Sequence, residues 1–450
     1  MSWVRSRYLL LGEREYRDGA GRRVRMAYST RQARLFALDA ETAARLAGGE
    51  LGGLGEERLR ELAARQAVVD EAEDELAAVL GAYREGSDAA GSRAVTVMPT
   101  SYCNMACGYC GQEHFKAPVD RARVDRVAAR VEALLADPAT EEVVVTWFGG
   151  EPLLALRVVR EMTGRFLAAA AQHGTRYRAR LVTNGSLLTD RTLRELHHEL
   201  RVEALEVTLD GPQEVHDRRR LKRNGRGSFH RTVGVLARAV REGTVPGLRV
   251  GIRINVDEEN EEHVPDLLAD LACFGLASPQ VEVHPMPVHS WGNDVSAVEI
   301  GARRYAEREA GWLRLARALG LGFPTMPNVV KRTTCVATST RREILDPAGR
   351  VYSCSEHPLV PGAAREGVVA TVDQLTGAAP RPRGEFDDWY EQVGDGSQQC
   401  GRCPLLPVCG GGCPKLWRAG HMPCPSVRFN WAERMDAAAA DLGLVPVGAG

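Results

Sequence analysis

At 450 residues the chain is longer than one ordinary domain, and two or three domains are expected. A formal net charge of −1 with 44% hydrophobic residues describes a globular protein with ample core and argues against wholesale nucleic-acid binding, although Arg218–Arg220 form a local basic cluster. No run of about 18 apolar residues occurs, and the opening MSWVRSRYLLLGERE lacks the apolar stretch of a signal peptide, so the expectation is a cytoplasmic protein without membrane or nucleic-acid partners. In that compartment eleven cysteines point to metal or redox chemistry rather than to disulfides.

Residues 1–92 read as a small separate unit. Tyr8–Leu11, Val24–Ala27 and Arg34–Leu38 predict short strands, Ala40–Leu46 and Glu56–Ala64 predict helices, and an acidic-apolar helix is expected over Asp70–Tyr83. Gly86–Ser92 follows as a small-residue linker. Such a set fits a winged-helix-like module or, equally, a cap over the edge of the next domain.

From Ala94 to about Leu321, within an expected domain of residues 93–325, strand and helix alternate. Strands are predicted at Ala94–Pro99, Glu142–Phe148, Arg180–Thr183, Glu206–Leu209, Arg249–Val256 and Val281–His284. Helices are predicted at Val119–Ala136, from about Leu153 to His173, from Thr189-Asp190, near Phe229–Glu242 and Glu261–Phe274, and at Arg303–Leu319. The strands are nearly continuous apolar runs, as in a parallel sheet covered by helices. Six such units predict an α/β fold, either a partial barrel or an open curved sheet.

The distinctive residues gather at the C-terminal strand ends, which form the active face of parallel α/β architectures. Cys103, Cys107 and Cys110, spaced C-x3-C-x2-C, follow the first strand. Gly149-Gly150-Glu151-Pro152 follows the second, Thr183-Asn184-Gly185 ends the third, and Asp210-Gly211-Pro212 ends the fourth. Arg253 and Asn255 lie on the fifth, and His284 with Pro285–His289 follows the sixth. Three thiols on one short loop predict a metal site with an open corner, because closed zinc sites and iron–sulfur cubes both take four protein ligands.

The C-x3-C-x2-C loop with Tyr109, the Gly149–Pro152 motif and this strand order resemble the radical S-adenosylmethionine (SAM) enzymes. The resemblance implies a partial (β/α)6 barrel in which Cys103, Cys107 and Cys110 hold a 4Fe–4S cluster. The fourth iron of that cluster is chelated by the amine and carboxylate of S-adenosyl-L-methionine. It implies Tyr109 against the adenine, and Gly149, Gly150 and Glu151 at the methionine amine. One-electron cleavage of the sulfonium then supplies a hydrogen-abstracting 5′-deoxyadenosyl radical. Residues 208–220 are similar to a stretch of the peptide-modifying branch, which implies that Thr208 and Arg220 contact the cofactor.

Downstream, Cys335, Gly349 and Cys354 are followed by Cys400, Cys403, Cys409, Cys413 and Cys424. Read alone, these suit a zinc ribbon. The spacing C-x13-G-x4-C … C-x2-C-x5-C-x3-C-x10-C also resembles the SPASM extension of radical enzymes, expected over residues 326–430 and followed by a C-terminal helix and tail at 431–450. That resemblance implies two auxiliary 4Fe–4S clusters, three clusters in all. Cys400, Cys403, Cys409 and Cys424 would hold the distal one, and Cys335, Cys354 and Cys413 the nearer one. Two all-cysteine clusters need eight thiolates and this region supplies seven, so an open or non-cysteine fourth position is expected, with Glu356 and His357 nearest. Cys273 is expected in the core.

The two signatures imply an enzyme that matures a ribosomally synthesised peptide, installing a thioether or C–C crosslink or a related modification. Its expected partners are a precursor peptide of leader plus core, bound through the N-terminal module, and an electron donor such as flavodoxin or ferredoxin. The alternatives are a sulfatase-type formylglycine-generating maturase and, in a different class, a zinc-stabilised non-enzymatic binding protein. In the sulfatase-type group an aspartate follows the second SPASM cysteine; here Ser355 follows Cys354, with Glu356 next.

Overall fold

The computed structural model describes residues 2–89 and 91–448. Its first strands are β1 (Trp3–Arg5), β2 (Leu9–Arg17), β3 (Arg23–Ser29), β4 (Arg34–Asp39) and β5 (Val68–Asp70). β2, β3 and β4 form an antiparallel meander, and β1 pairs antiparallel with β5. Helices α1 (Ala40–Gly48), α2 (Glu56–Ala64) and α3 (Glu75–Asp88) complete this segment.

The helix expected from Asp70 starts at Glu75 instead, where the Asp74 carboxylate accepts from Ala77 N. Val68 and Val69 are spent on the buried strand β5. The expected linker Gly86–Ser92 is largely absorbed: α3 runs to Asp88 and the next strand starts at Ser92, while Ala90 lies outside the described residues.

Six parallel strands follow, as the periodicity predicts: β6 (Ser92–Val97), β7 (Glu142–Trp147), β8 (Arg176–Thr183), β9 (Val202–Thr208), β10 (Arg249–Val256) and β11 (Val281–Pro287). They are hydrogen-bonded in chain order. Their helices are α4 (Arg121–Leu135), α5 (Leu156–His173), α6 (Asp190–His198), α7 (Gln213–Arg219), α8 (Phe229–Glu242), α9 (Val264–Cys273) and α10 (Ala302–Ala318). Val143, Val145 and Trp147 of β7 are buried in one core with Val127, Val131, Leu134, Val159, Met162 and Phe166 of α4 and α5. This is a partial barrel of parallel strands wrapped in helices.

The sheet continues beyond the barrel. β12 (Arg342–Leu345) pairs parallel with β6, and β13 (Arg350–Tyr352) and β14 (Val368–Thr371) extend it antiparallel into a nine-stranded sheet. The cysteine-rich region is thus continuous with the barrel. Arg130 of α4 donates two parallel hydrogen bonds to Glu343 of β12, Nε–Oε1 and Nη2–Oε2 both at 2.9 Å, and both side chains are buried.

The N-terminal and cysteine-rich segments share cores. Tyr8, Val79, Leu80 and Tyr83 pack with Trp389, Tyr390, Val393, Cys400 and Leu406. Tyr83 donates its hydroxyl toward Leu406 O and Pro407 O at 2.9 and 3.0 Å. The last strand, β15 (Val445–Pro446), returns to pair with β2. Cys273 corrects its expectation, being exposed at the end of α9. The buried stripe of that helix is Val264, Leu267, Leu268 and Leu271, and position 273 falls off it.

Candidate active site at the barrel mouth

The cysteine loop is fixed from three sides. It first lies on the Gly149-Gly150 turn, where Gly150 N donates to Thr100 O at 3.3 Å and Glu151 N to Tyr102 O at 2.9 Å. The approach demands glycine. A Cβ on Gly150 would stand 2.3 Å from Tyr102 O, and one on Gly149, whose φ is 119°, would stand 2.7 Å from Thr100 O. The second support is the end of β8: Asn184 Nδ2 donates to Asn104 Oδ1 at 2.9 Å and reaches Cys103 Sγ at 3.7 Å. The third is residues 221–223, with Ala106 N bonded to Leu221 O and Arg223 N to Asn104 O, both at 2.9 Å.

Cys103, Cys107 and Cys110 line one cavity of about 470 Å³. Gly149, Gly150, Tyr109, Thr208 and Arg220 share its walls, so most residues singled out as cofactor contacts come together there. Strand alternation explains the far wall: Glu206 and Thr208 of β9, and Arg253 and Asn255 of β10, point into the lumen while their neighbours face the helices. Val288, His289, Trp291 and Glu356 close the rim, and a Cβ on Gly111 would meet Asn293 Oδ1 at 2.7 Å, so the segment that carries this rim rests on the cysteine loop.

Glu151 is the exception. It is fully buried behind the wall, accepting from Leu153 N at 3.0 Å, Thr183 Oγ1 at 2.8 Å and Asn184 N at 2.8 Å. Burial raises its pKa, opposed by these donors. Its carboxylate ties the second strand end to the third and buttresses the loop from behind.

Sequence reasoning missed a polar network under Tyr109. The phenol donates to Asp210 Oδ2 at 2.5 Å and receives bonds from Asn255 Nδ2 at 3.0 Å and from Arg220 Nη1. Arg219 lies over the ring, 5.3 Å from its centroid. Asp210 and Asn255 stood at the strand ends with no role assigned, and only the fold shows that they converge.

The residues fit the cofactors that the motif implies. The Nε of Arg220 is buried without a partner in a cavity-lining side chain, which suits an anionic ligand group. Burial pushes the Cys103 thiol up to about 11 and raises Cys107, which Arg220 opposes, so a metal held by these thiols would displace their protons. Cys400, Cys403, Cys409 and Cys424 line a separate, small cavity of about 20 Å³. Arg428 Nη1 donates to Cys424 Sγ at 3.0 Å there. Between Cys409 and Cys413 stand Gly410, Gly411 and Gly412, all at positive φ, with Gly411 pressed against the Trp389 indole, which a Cβ would approach to 2.8 Å.

The sequence profile of the Radical SAM superfamily matches residues 97–271, the stretch that carries this cysteine-loaded mouth. That match supports S-adenosyl-L-methionine and a 4Fe–4S cluster as the cofactors of this mouth. Among curated relatives, an uncharacterized protein of Synechocystis is 31% identical over 150 residues, which is 31% of this chain and 35% of that one. The chain thus spans about a third of that relative's length. The serine-type anaerobic sulfatase-maturating enzyme of Klebsiella aerogenes is 24% identical over 334 residues, covering 69% of this chain and 77% of that one. The solved structure of native anSMEcpe with bound AdoMet and Cp18Cys peptide superimposes with a TM-score of 0.57 at 15% identity, over 78% of this chain and 98% of that one. At that identity it supports the fold. Among the described residues no helix is long and apolar enough to cross a membrane.

Proposed function

We propose that the chain is a maturase of a ribosomally synthesised peptide, installing a thioether or C–C crosslink or a related modification on a precursor of leader plus core. The observation that carries this reading is the shared cavity: the three-cysteine loop and Glu356 of the cysteine-rich region line the same 470 Å³ space. A peptide segment entering it meets both. Cys103, Cys107 and Cys110 would hold the cluster that binds the cofactor, with Tyr109, Gly149, Gly150, Thr208 and Arg220 around S-adenosyl-L-methionine and Glu151 supporting the amine side from behind. When bound, the pair supplies a hydrogen-abstracting carbon radical. The protein's part is to orient the peptide and exclude water.

Cys400, Cys403, Cys409 and Cys424 would hold a distal auxiliary cluster, and Cys335, Cys354 and Cys413 a nearer one. Residues 1–92 would bind the leader, residues 93–325 form the radical domain and residues 326–430 the auxiliary-cluster domain; flavodoxin or ferredoxin is the expected electron source. The test is anaerobic reconstitution with reductant, cofactor and short peptides encoded beside the gene. A modified core with loss of two hydrogen masses supports the reading. Cofactor cleavage with every such peptide returned unmodified counts against it.

The sulfatase-maturating relative favours one second reading, oxidation of a Ser or Cys to formylglycine. An aldehyde-reactive probe on a sulfatase-derived peptide separates the two products.

A further inference from the structure

We infer that Arg219, held by Asp257, is a positioning residue for S-adenosyl-L-methionine that acts through the Tyr109 ring, an inference that rests on the reading above of Tyr109 against the adenine. Two consecutive arginines at the end of α7 grip the same phenol. Arg220 reaches its hydroxyl, whereas Arg219 lies over the ring, with its guanidinium carbon 5.3 Å from the centroid. The half-buried Tyr109 lines the mouth cavity; Arg219 and Asp257 do not. The cation therefore covers one face of the ring from the protein side, and the other face is left for a ligand.

The backing is itself braced. Arg219 Nη1 donates to Asp257 Oδ1 at 2.8 Å and Nη2 to Asp257 Oδ2 at 2.6 Å, and both side chains are buried. Arg219 Nε is buried with no hydrogen-bond partner, so the guanidinium is only partly satisfied by oxygen and lies against the negative π face of Tyr109. Asp257 is fixed in turn. Its N–H donates to Asn260 Oδ1 at 2.9 Å, and Asn260 Nδ2 donates to Asn255 O at 2.9 Å and to Asp210 O at 2.7 Å. Asp210 is the residue whose carboxylate accepts from the phenol hydroxyl. Hydroxyl and ring face are thus fixed by one continuous frame across the ends of β9 and β10. A buried ion pair is by itself a weak source of stability. This one stands outside the cavity yet braces a ring that lines it, which suits positioning.

Two physical effects reach the ligand side. The frame holds the ring at one inclination, so a planar base meets a preorganised surface. The cation draws π density to the rear, which lowers the repulsion between the front of the ring and the π cloud of a stacked base. Lysine would not reproduce this, because an ammonium offers neither a planar surface to the ring nor a bidentate contact to Asp257.

The test is a double-mutant cycle on full-length holoenzyme reconstituted without air and kept unreduced, so that the cofactor binds without being cleaved. The native protein, Arg219→Gln, Tyr109→Leu and the double variant are compared by equilibrium dialysis of S-adenosyl-L-methionine, with iron content as the check on loading. Arg219→Gln is expected to raise Kd about 3- to 10-fold, the scale of a desolvated cation–π contact. Once Tyr109 is leucine, the same substitution should change Kd by less than about twofold, because a residue acting through the ring has nothing left to act through. An equal loss in both backgrounds overturns the proposal in favour of a plain structural ion pair, and so does an unchanged Kd in Arg219→Gln. Native affinity in Tyr109→Leu overturns the adenine reading beneath it as well. Should Arg219→Gln load no iron, Asp257→Asn takes its place in the cycle, freeing the guanidinium without removing it, and the same outcomes decide.

Discussion

Gly150→Ala should uncouple the cysteine loop from the barrel without unfolding the chain. The added methyl carbon would lie 2.3 Å from Tyr102 O, 2.5 Å from Tyr102 C and 2.9 Å from Ser101 O, all backbone atoms that cannot swing aside as a side chain would. Reaching an ordinary separation of about 3.4 Å requires the loop to retreat by roughly 1 Å. That retreat sacrifices the bonds from Gly150 N to Thr100 O and from Glu151 N to Tyr102 O. Overpacking costs about 1–3 kcal/mol, and each of the two lost bonds adds roughly 1 kcal/mol, so a destabilisation of about 3–5 kcal/mol is expected. Because Cys103 follows Tyr102 directly, its sulfur moves with the loop. The assay is urea unfolding together with iron content and 5′-deoxyadenosine formation after anaerobic reconstitution. The expected outcome is loss of one cluster's iron and of 5′-deoxyadenosine, with the other iron retained. Gly108→Ala is the internal control, since nothing lies within 4 Å of its Cβ position, and it should behave as native. A fully active Gly150→Ala, or a Gly108→Ala equally damaged, would refute this account of the loop.

Cys107→Ala should abolish 5′-deoxyadenosine production while leaving the fold intact, because the half-buried loop thiol is not part of the barrel core; undiminished product sinks the ligand assignment. Tyr83→Phe removes the bonds to Leu406 O and Pro407 O and should cost about 1–3 kcal/mol in a urea melt, with labilised distal-cluster iron, since Cys400 shares the same core. Unchanged stability would mean that the two segments are not coupled there. His216 is buried between Asp210 N at 3.3 Å and Ser228 Oγ at 3.0 Å, and burial depresses it from 6.5 to about 3, with Arg220 assisting. The unfolded chain therefore binds a proton between those values that the native protein does not. Stability is fully present above about pH 6.5 and falls as pH drops, by roughly 2 kcal/mol at pH 5. Denaturant melts of the native protein and His216→Gln across that range should differ in slope; parallel curves would show that the histidine is not held neutral.

What was legible in the sequence follows from local rules. The βα alternation survived because each strand carries a period of two and each helix an apolar stripe, and both are written within a few residues. The end of α9 shows the limit of that reading: Cys273 looked like core because it closes an apolar helix, and one step around the helix places it in solvent. Glu151 shows a second limit. A carboxylate beside two glycines at a strand end reads as a ligand contact, yet two donors on the third strand end and one at the start of its own helix claim it first.

By itself the sequence determined the class of chemistry and the barrel, because thiol spacing within a loop and hydrophobic periodicity within an element are properties of contiguous chain. Tertiary structure alone decided how the pieces meet. β12 joins the barrel sheet at β6 across a separation of some 250 residues, and Tyr83 closes on Leu406 across 323. Glu343 finds Arg130 across 213 residues, and Asp210 and Asn255 converge beneath Tyr109. None of these partners carries a local signature, since a buried ion pair or an added strand is selected by the geometry of closing the whole fold. The same holds for Glu356, a plain carboxylate in the chain that the fold sets at the open mouth of the barrel.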